Sequence, residues 1–322
     1  TNNNLNYIEA GYRVFSSSME KIWEGVVKMP YTESTMKKFG STVSNKGDVY
    51  QLIFSKATIS FEILVIKNQT EVKINKPGIN TDLNVFSGFI NETPTGNFSC
   101  TGLYGTGHLN NIVQGIIRFQ VDTNMQTVYS TKIVFDDAFA KEIGPVKVNI
   151  NASKNTDVKT KGIQYLRLFQ VNECADGTSL IITEQQNFVS SSSDDIVMVK
   201  IDRRGNVSWM VKLSKSAIGL GKWGKFYTDQ ESIYAFFMDI ATDAYGKPIS
   251  YSPKELEDFV SYKINITTGD FSKQILFSAK DQNLSGLNSI LDDFVAIGGK
   301  KFITTVLTKK GDQTRVLKLQ VK

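Results

Sequence analysis

A strand–turn–strand pattern that recurs along the 322-residue chain constrains its fold more than any other feature. In the clearest copy, alternating apolar residues from Val199 lead into a polar turn with Gly205, and a second alternating run continues to Leu213. Alternation on both sides of a glycine-containing turn is typical of a β-hairpin. Further copies occupy residues 14–23, 64–72, 119–129 and 262–276, and a half-copy spans residues 315–321.

Other pairs of short apolar runs lie between these hairpins, at residues 43–54, 86–104, 165–184, 224–237 and 294–306. Four strands therefore recur within each period of roughly 50 to 80 residues, and the short spacers make neighbouring strands antiparallel. A thin four-stranded sheet cannot bury both of its faces alone, so such sheets stack around a common axis. We predict an all-β fold, a single β-propeller domain over residues 1–322. A two-sheet β-sandwich is the alternative.

The repeat does not close evenly at its two ends. Five to six blades are visible, the first hairpin lacks the two strands that should precede it, and the last blade stops after its third strand. Either the two chain ends share one blade, or residues upstream of Thr1 complete the ring. The second alternative is favoured because Tyr12 enters a strand without a lead-in.

Two polar inserts interrupt the repeat, at residues 136–161 and 242–258. We expect a short helix at residues 137–142 in the first insert. In the second insert, Pro253 is suited to open another short helix that includes residues 255–258. Long loops on a rigid scaffold commonly carry binding residues, so the inserts are places to look for function.

The composition argues against several classes of function. One histidine and two cysteines are too few for most metal and nucleophile chemistries. The net charge of +5 is spread along the chain, whereas nucleic-acid binders concentrate basic residues on one face. No apolar run approaches the ~18 residues of a membrane-spanning helix. We therefore expect no metal, no cofactor, no nucleic-acid partner and no transmembrane segment. Cys100 and Cys174 are expected to be free, unless their Cα atoms come within ~7 Å.

Several motifs match known chemistry only in part. Gly219–Gly224 fits G-x-G-x-x-G, but strands follow it where a nucleotide site needs a helix, so we interpret it as a loop between blades. His108 stands alone, with no nucleophile elbow. The acidic pairs at residues 136–137, 194–195 and 292–293 precede or begin strands, which indicates turns, with a bound cation or glycosidase chemistry as alternatives. We predict no catalytic residue.

A cluster of basic and aromatic residues supplies most of the remaining candidates. Such side chains stack on sugars or nucleobases, or else pack between blades while the lysines point outward. Packing is the favoured interpretation. The candidate contacts to a partner or ligand are Lys222, Trp223, Lys225, Tyr227 and, from the separate loop, His108.

Seven short stretches carry a resemblance to a known family: Tyr12–Phe15, Ile22–Glu24, Met29–Tyr31, Gly47–Tyr50, Asp195–Asp202, the pair Gly205 and Trp209, and Arg315–Leu319. Together they resemble cell-envelope β-propellers of Bacteroidota, a family whose members are mostly uncharacterised. The resemblance implies an exported protein, periplasmic or associated with the cell surface. It carries no catalytic residue to this chain.

The repeat, the lack of a converging catalytic set and the resemblance lead to one functional expectation. It is a non-enzymatic scaffold that mediates protein–protein interaction in the bacterial envelope, such as a subunit of an outer-membrane secretion or gliding assembly. Its partner would be another envelope protein or a membrane-protein complex. The alternative is an exported propeller that binds or cleaves carbohydrates with aromatic residues and the aspartate pairs.

Overall fold

The computed structural model describes residues 7–32, 34–67, 71–79, 84–106, 112–141, 146–148, 162–187, 192–215, 217–218, 224–240, 257–278, 294–298, 300–307 and 314–321. These residues form antiparallel sheets, each built mainly from strands that are consecutive in the chain. This architecture confirms the prediction of an all-β propeller made of four-stranded antiparallel blades, and not the sandwich alternative. The prediction of one domain over the whole chain stays a prediction.

The strands follow the predicted repeat closely. The first sheet pairs β1 (Tyr7–Phe15) with β2 (Lys21–Thr32). The second sheet contains β3 (Met36–Val43), β4 (Val49–Ser55), β5 (Ser60–Lys67) and β6 (Glu71–Asn75). The third contains β7 (Asn84–Glu92), β8 (Phe98–Thr106), β9 (Ile112–Val121) and β10 (Thr127–Val134).

The next elements belong to the first insert and the fourth sheet. They are helix α1 (Asp137–Lys141), β11 (Val146–Val148) and β12 (Ile163–Gln164), the last pairing with β9. The fourth sheet is formed by β13 (Leu166–Glu173), β14 (Ser179–Asn187), β15 (Ser192–Ile201) and β16 (Val207–Leu213), with β11 beside β16 and β17 (Ala217–Ile218) beside β15.

The last two sheets complete the described strands. The fifth contains β18 (Lys225–Thr228), β19 (Ser232–Ile240), β20 (Glu257–Asn265) and β21 (Phe271–Ser278). The sixth contains β22 (Val295–Gly298), β23 (Lys301–Leu307) and β24 (Thr314–Gln320). The incomplete first sheet and the three-stranded last sheet agree with the predicted uneven ends.

The chain divides into two compact units. The first comprises Thr1–Ala140, Asn151–Ile182 and Val199–Val207, and the second comprises Lys141–Ile150, Thr183–Met198 and Ser208–Lys322.

One turn geometry closes six of the hairpins whose turns the structure describes. In the β15–β16 turn, the Asp202 N–H donates to the Asn206 carbonyl over 2.8 Å, and the Gly205 N–H donates back to the Asp202 carbonyl over 3.0 Å. The fourth residue of such a turn has a positive φ, which is +87° at Gly205, and glycine adopts it without strain. The same pair of hydrogen bonds recurs in the turns at residues 16–20, 44–48, 93–97, 122–126 and 174–178.

Side chains of one sheet hold the turn of another sheet through its carbonyl groups. Trp23 on β2 donates its indole N–H to the Gly47 carbonyl over 2.9 Å, and Thr131 on β10 donates to the Gly205 carbonyl over 2.5 Å. In the second unit, Trp209 on β16 donates to the Ile266 carbonyl over 3.1 Å. The turns therefore fix the spacing between sheets as well as the strand register.

The Gly269 turn provides a test of this role. Its φ is +74°, and a Cβ atom there would lie 2.7 Å from Cγ of the buried Trp209, whereas Gly96 has a similar φ of +81° and open space around it. We expect G96A to lower the free energy of unfolding by about 1 kcal/mol through backbone strain, and G269A by about 3 kcal/mol because overpacking adds to that strain. Urea denaturation measures both. Equal losses would contradict the packing role of Gly269.

Three sheet-to-sheet contacts are apolar, and the first, between the first and second sheets, includes Val14 and Val27 packed against Ile53. Between the second and third sheets, Phe61 packs against Phe119 and also against Phe54 of its own sheet, with ring centroids 5.5 Å apart in each pair. Between the fifth and sixth sheets, Phe302 lies 4.6 Å from Phe236 and 5.0 Å from Phe294. Such contacts are stabilised by burial of aromatic area and by ring geometry.

The inserts agree only in part with their predictions. Helix α1 forms as expected, and the Asp136 carboxylate accepts from the Phe139 N–H over 2.7 Å as its N-cap. In the second insert, residues 242–256 lie outside the described part. The helix predicted to include residues 255–258 is wrong for Glu257 and Asp258, because both pair with β19 and begin β20.

Candidate functional site

The structure describes two of the five contacts that the sequence predicts, Lys225 and Tyr227. His108, Lys222 and Trp223 lie outside the described residues. Lys225 and Tyr227 are both on β18 and partly buried. The ring of Tyr227 lies 5.3 Å from Phe302, so it belongs to the apolar contact between the fifth and sixth sheets, as the packing interpretation expects.

The aspartate pairs have separate local roles. Asp136 caps α1, and Asp195 on β15 forms an ion pair with Lys212 over 3.7 Å. The side chain of Asp194 and residues 292–293 lie outside the described part. Cys100 and Cys174 are both free thiols, and burial raises the pKa of Cys100 above its ordinary value.

The second unit also contains buried charged side chains where the fourth and fifth sheets meet. Each ion pair lies within one sheet, and the sheets are linked by the Lys215 ammonium, 5.8 Å from the Phe237 ring, and by the Tyr262 hydroxyl, 3.5 Å from the Ser214 carbonyl oxygen. Four carboxylates and three ammonium groups lie there, and we call this set the charged interface: Glu184, Asp195, Asp239, Asp258, Lys212, Lys215 and Lys273. Burying charge costs several kcal/mol per ion unless each is compensated, so the set needs a physical explanation.

Ion pairs compensate much of this buried charge. Glu184 and Lys215 form a pair in which both side chains are fully buried. The Lys273 ammonium lies 2.6 Å from Asp239 Oδ2. The peptide N–H of Gly224 also donates to Glu184 over 3.4 Å. These ion pairs and this hydrogen bond offset the cost of burying the charges, so the charged interface can be buried although it is not apolar.

Two carboxylates of the charged interface face each other. Strand register places Asp239 on β19 directly opposite Asp258 on β20, and only 6% and 8% of these residues are exposed. Opposite residues of an antiparallel pair share one face, with Cβ atoms about 4.5–5.5 Å apart. Both positions border the 242–258 insert, because Asp239 nearly ends β19 and Asp258 nearly begins β20. The pair therefore lies where a long connection joins the sheet.

Aromatic side chains continue the charged interface along the same sheet. Phe237 and Tyr262 stack with centroids 5.7 Å apart, and the Lys215 ammonium lies 5.8 Å from the Phe237 ring. Burial raises the pKa of Tyr262 above its ordinary value, and the negative charges of Asp239 and Asp195 raise it further. The two carboxylates therefore act electrostatically on the Tyr262 hydroxyl in a contact that contains little water.

The first unit has a different buried network, centred on Arg118, which is 1% exposed. Its guanidinium donates to both Glu173 oxygens over 2.9 Å, to Thr101 over 2.7 Å and to Ser179 over 2.5 Å. Burial lowers the pKa of Arg118, but Glu173 and Tyr129 more than offset this and raise it. One cation matched to one carboxylate is a stabilising link between β9 and β13, and we assign it no chemistry.

The charged interface has the groups for acid–base chemistry. A carboxyl group that donates a proton and a carboxylate that attacks or activates water form the minimal set for cleaving a glycosidic bond. Within the described ranges, no three His, Cys, Asp or Glu side chains are placed to hold a metal ion. Over the same ranges, no helix has the length and apolar character to cross a membrane.

Comparison with known proteins gives matches among solved structures only. No family model and no curated protein matches this chain. A Bacteroides caccae protein of unknown function matches with 10% identity and a TM-score of 0.36, over 98% of this chain and 88% of its own. A putative exo-β-1,3-galactanase from Bifidobacterium bifidum has 9% identity and a TM-score of 0.32, over 97% and 93%. An endo-arabinase from Bacteroides thetaiotaomicron has 8% identity and a TM-score of 0.35, over 88% and 93%.

These matches correct the main functional expectation. The predicted non-enzymatic interaction scaffold is wrong by this comparison, because solved structures named as glycan-cleaving enzymes match nearly the whole chain. The sequence alternative, a carbohydrate-active propeller, agrees better. Identities of 8–10% bear on the fold alone, so no residue role is carried over.

Sequence reasoning did not identify Asp239 and Asp258 as a pair. The sequence patterns place Asp258 in the second insert and give Asp239 no catalytic role. The sequence does contain one signal for the pair, an acid close to each boundary of that insert. Because the two strands that a connection joins are commonly neighbours in a sheet, acids at both boundaries can lie opposite each other.

Proposed function

We propose that this protein is a carbohydrate-active β-propeller that cleaves glycosidic bonds, with Asp239 and Asp258 as its acid–base pair. The observation that supports the proposal is the facing arrangement of two buried carboxylates at the border of a long insert. Buried ionisable groups that cluster beside a long connection are candidates for a functional site. The aromatic surroundings of Phe237 and Tyr262 keep the local dielectric low, which strengthens the electrostatic interactions of both acids.

The chemistry requires the two acids to differ in protonation. The protonated carboxyl donates its proton to the oxygen of the leaving sugar as the glycosidic C–O bond breaks. The other, as a carboxylate, either attacks the anomeric carbon or takes a proton from the water that does.

A hydrolysis screen tests the proposal. The panel contains β-1,3-galacto-oligosaccharides and arabino-oligosaccharides, the substrates that the names of the matched enzymes indicate, together with other plant and host glycans. We expect release of reducing sugar from at least one glycan. Binding without release would support a carbohydrate-binding propeller and contradict cleavage, and the absence of both would contradict the proposal.

We also propose that the protein is exported and belongs with the Bacteroidota envelope propellers. The short stretches of sequence that resemble that family support this proposal. Fractionation of native cells, followed by immunodetection, should find the protein in the periplasm or at the surface. Recovery in the cytoplasm alone would contradict it. An envelope partner stays a prediction.

A further inference from the structure

The first sheet has apolar side chains that are exposed to solvent. One of its faces packs against the second sheet through Val27 and Met29 on β2. Because side chains alternate along a strand, Ile22 and Val26 point away from that contact, and they are 55% and 65% exposed. Gly11 lies opposite Val26 on β1 and has no side chain to cover it. We call this the outer face of the first sheet, and it comprises Glu9, Gly11, Arg13, Ile22, Glu24, Val26 and Lys28.

The turn that joins β1 and β2 provides an independent observation, a strained methionine. In the six turns of this geometry, the fourth residue has a positive φ, and it is glycine in four turns, Met125 in one and Met19 in the first. A side chain in this region strains the backbone. Met125 offsets the strain by packing against the core between the second and third sheets, whereas Met19 is 75% exposed. Within the described part of the chain, Met19 therefore lacks packing that would offset its strain, and such strain commonly marks a functional contact.

The charges of the outer face indicate which partner fits it. Two acids and two bases lie there, and Nε of Arg13 is 3.3 Å from Oε2 of Glu24. A bilayer with anionic headgroups attracts surfaces with an excess of basic residues, and this balanced face has no such excess. Two copies related by a two-fold axis present the same face to each other, so the acids of each copy can pair with the bases of the other. Charge complementarity thus favours a second copy of this chain.

We propose that the outer face of the first sheet, with Met19 at the tip of the hairpin, is an interface between two copies of this chain. Ile22 and Val26 of both copies form its apolar centre, and the charged side chains form its rim, which is the usual arrangement of a protein interface. Contact with the second copy buries Met19 and offsets the strain of its turn. The interface is independent of the proposed glycan chemistry.

Analytical ultracentrifugation over a range of concentrations tests the interface. We expect a concentration-dependent dimer for the wild type. V26E should raise the dissociation constant by about 30-fold or more, because a carboxylate enters the apolar centre of the contact. V316E is the matched control and should dimerise like the wild type, since Val316 on β24 is 68% exposed and lies outside the outer face. A wild type that stays monomeric at its highest soluble concentration, or equal weakening by V26E and V316E, would overturn the proposal.

Glycine variants separate the contact of Met19 from its effect on the turn. M19G removes the backbone strain, so the urea midpoint of the monomer should not fall, while the dissociation constant should rise by about tenfold. M125G should do the reverse, because it loses core packing without touching the interface. An M19G protein that dimerises like the wild type would exclude Met19 from the contact. Wild-type binding to vesicles of phosphatidylcholine and phosphatidylglycerol that V26E abolishes would assign the outer face to a membrane and overturn the proposal.

Discussion

Replacing Asp239 with asparagine should lower kcat/KM for glycan cleavage by about 10³-fold, the usual range for losing an acid–base group. Asparagine has nearly the same shape but cannot donate a proton to the leaving oxygen, attack an anomeric carbon or take a proton from water. The variant should remain folded, since an amide still accepts a hydrogen bond from Lys273. Initial rates on the best glycan of the screen measure the effect, with thermal unfolding as a check on folding.

A control in the turn before the same strand makes this result specific. Glu231 is exposed and lies in the turn just before β19, at the opposite end from Asp239. E231Q removes one negative charge from that turn and should match wild-type activity. D258N should lose activity as D239N does, because both acids act in one step. A D239N enzyme with more than a tenth of wild-type activity would exclude Asp239 from the reaction.

Arg118→Met should lower the free energy of unfolding by about 4 kcal/mol. Methionine fills much of the same space, but the Glu173 carboxylate, whose side chain is 9% exposed, then remains buried with only hydroxyl donors. Breaking a buried ion pair from one side typically costs ~3–5 kcal/mol, most of it for the uncompensated charge. Chemical denaturation of purified wild type and variant at neutral pH measures the loss.

The double variant R118M/E173M separates this charge effect from simple packing. When both ionic partners are replaced by apolar side chains, no uncompensated charge remains, and the double variant should be more stable than R118M alone. If the free energy of unfolding of R118M is instead within about 1 kcal/mol of the wild-type value, the Arg118 network contributes little to stability, and this prediction is wrong.

The fold was predictable because its signal is local. Strand alternation and turn glycines can be recognised in a sequence window of about ten residues. Repetition of the four-stranded unit along the chain then identifies the propeller. The hairpin at residues 199–213 forms β15 and β16 with Gly205 at a positive φ. The same position is taken by Met19 and Met125 in two other turns, with φ values of 65° and 64°. No composition rule predicts those two, because the register of the flanking strands imposes the conformation.

The site was not predictable, because its signal is not local. Lys215 is 31 residues from Glu184, and Lys273 is 34 residues from Asp239. In the sequence each lysine resembles an ordinary surface residue, and only sheet packing determines that Lys215 is fully buried. The facing of Asp239 and Asp258 depends on the strand register across an insert, which the sequence leaves open.

A crystal structure of the D258N variant with the best oligosaccharide of the screen tests the central claim most directly. The account predicts that the glycosidic bond lies between the side chains at positions 239 and 258, with its oxygen within hydrogen-bond distance of one of them and the adjoining anomeric carbon facing the other. An oligosaccharide bound elsewhere on the protein, with the charged interface closed and unchanged, would contradict the account.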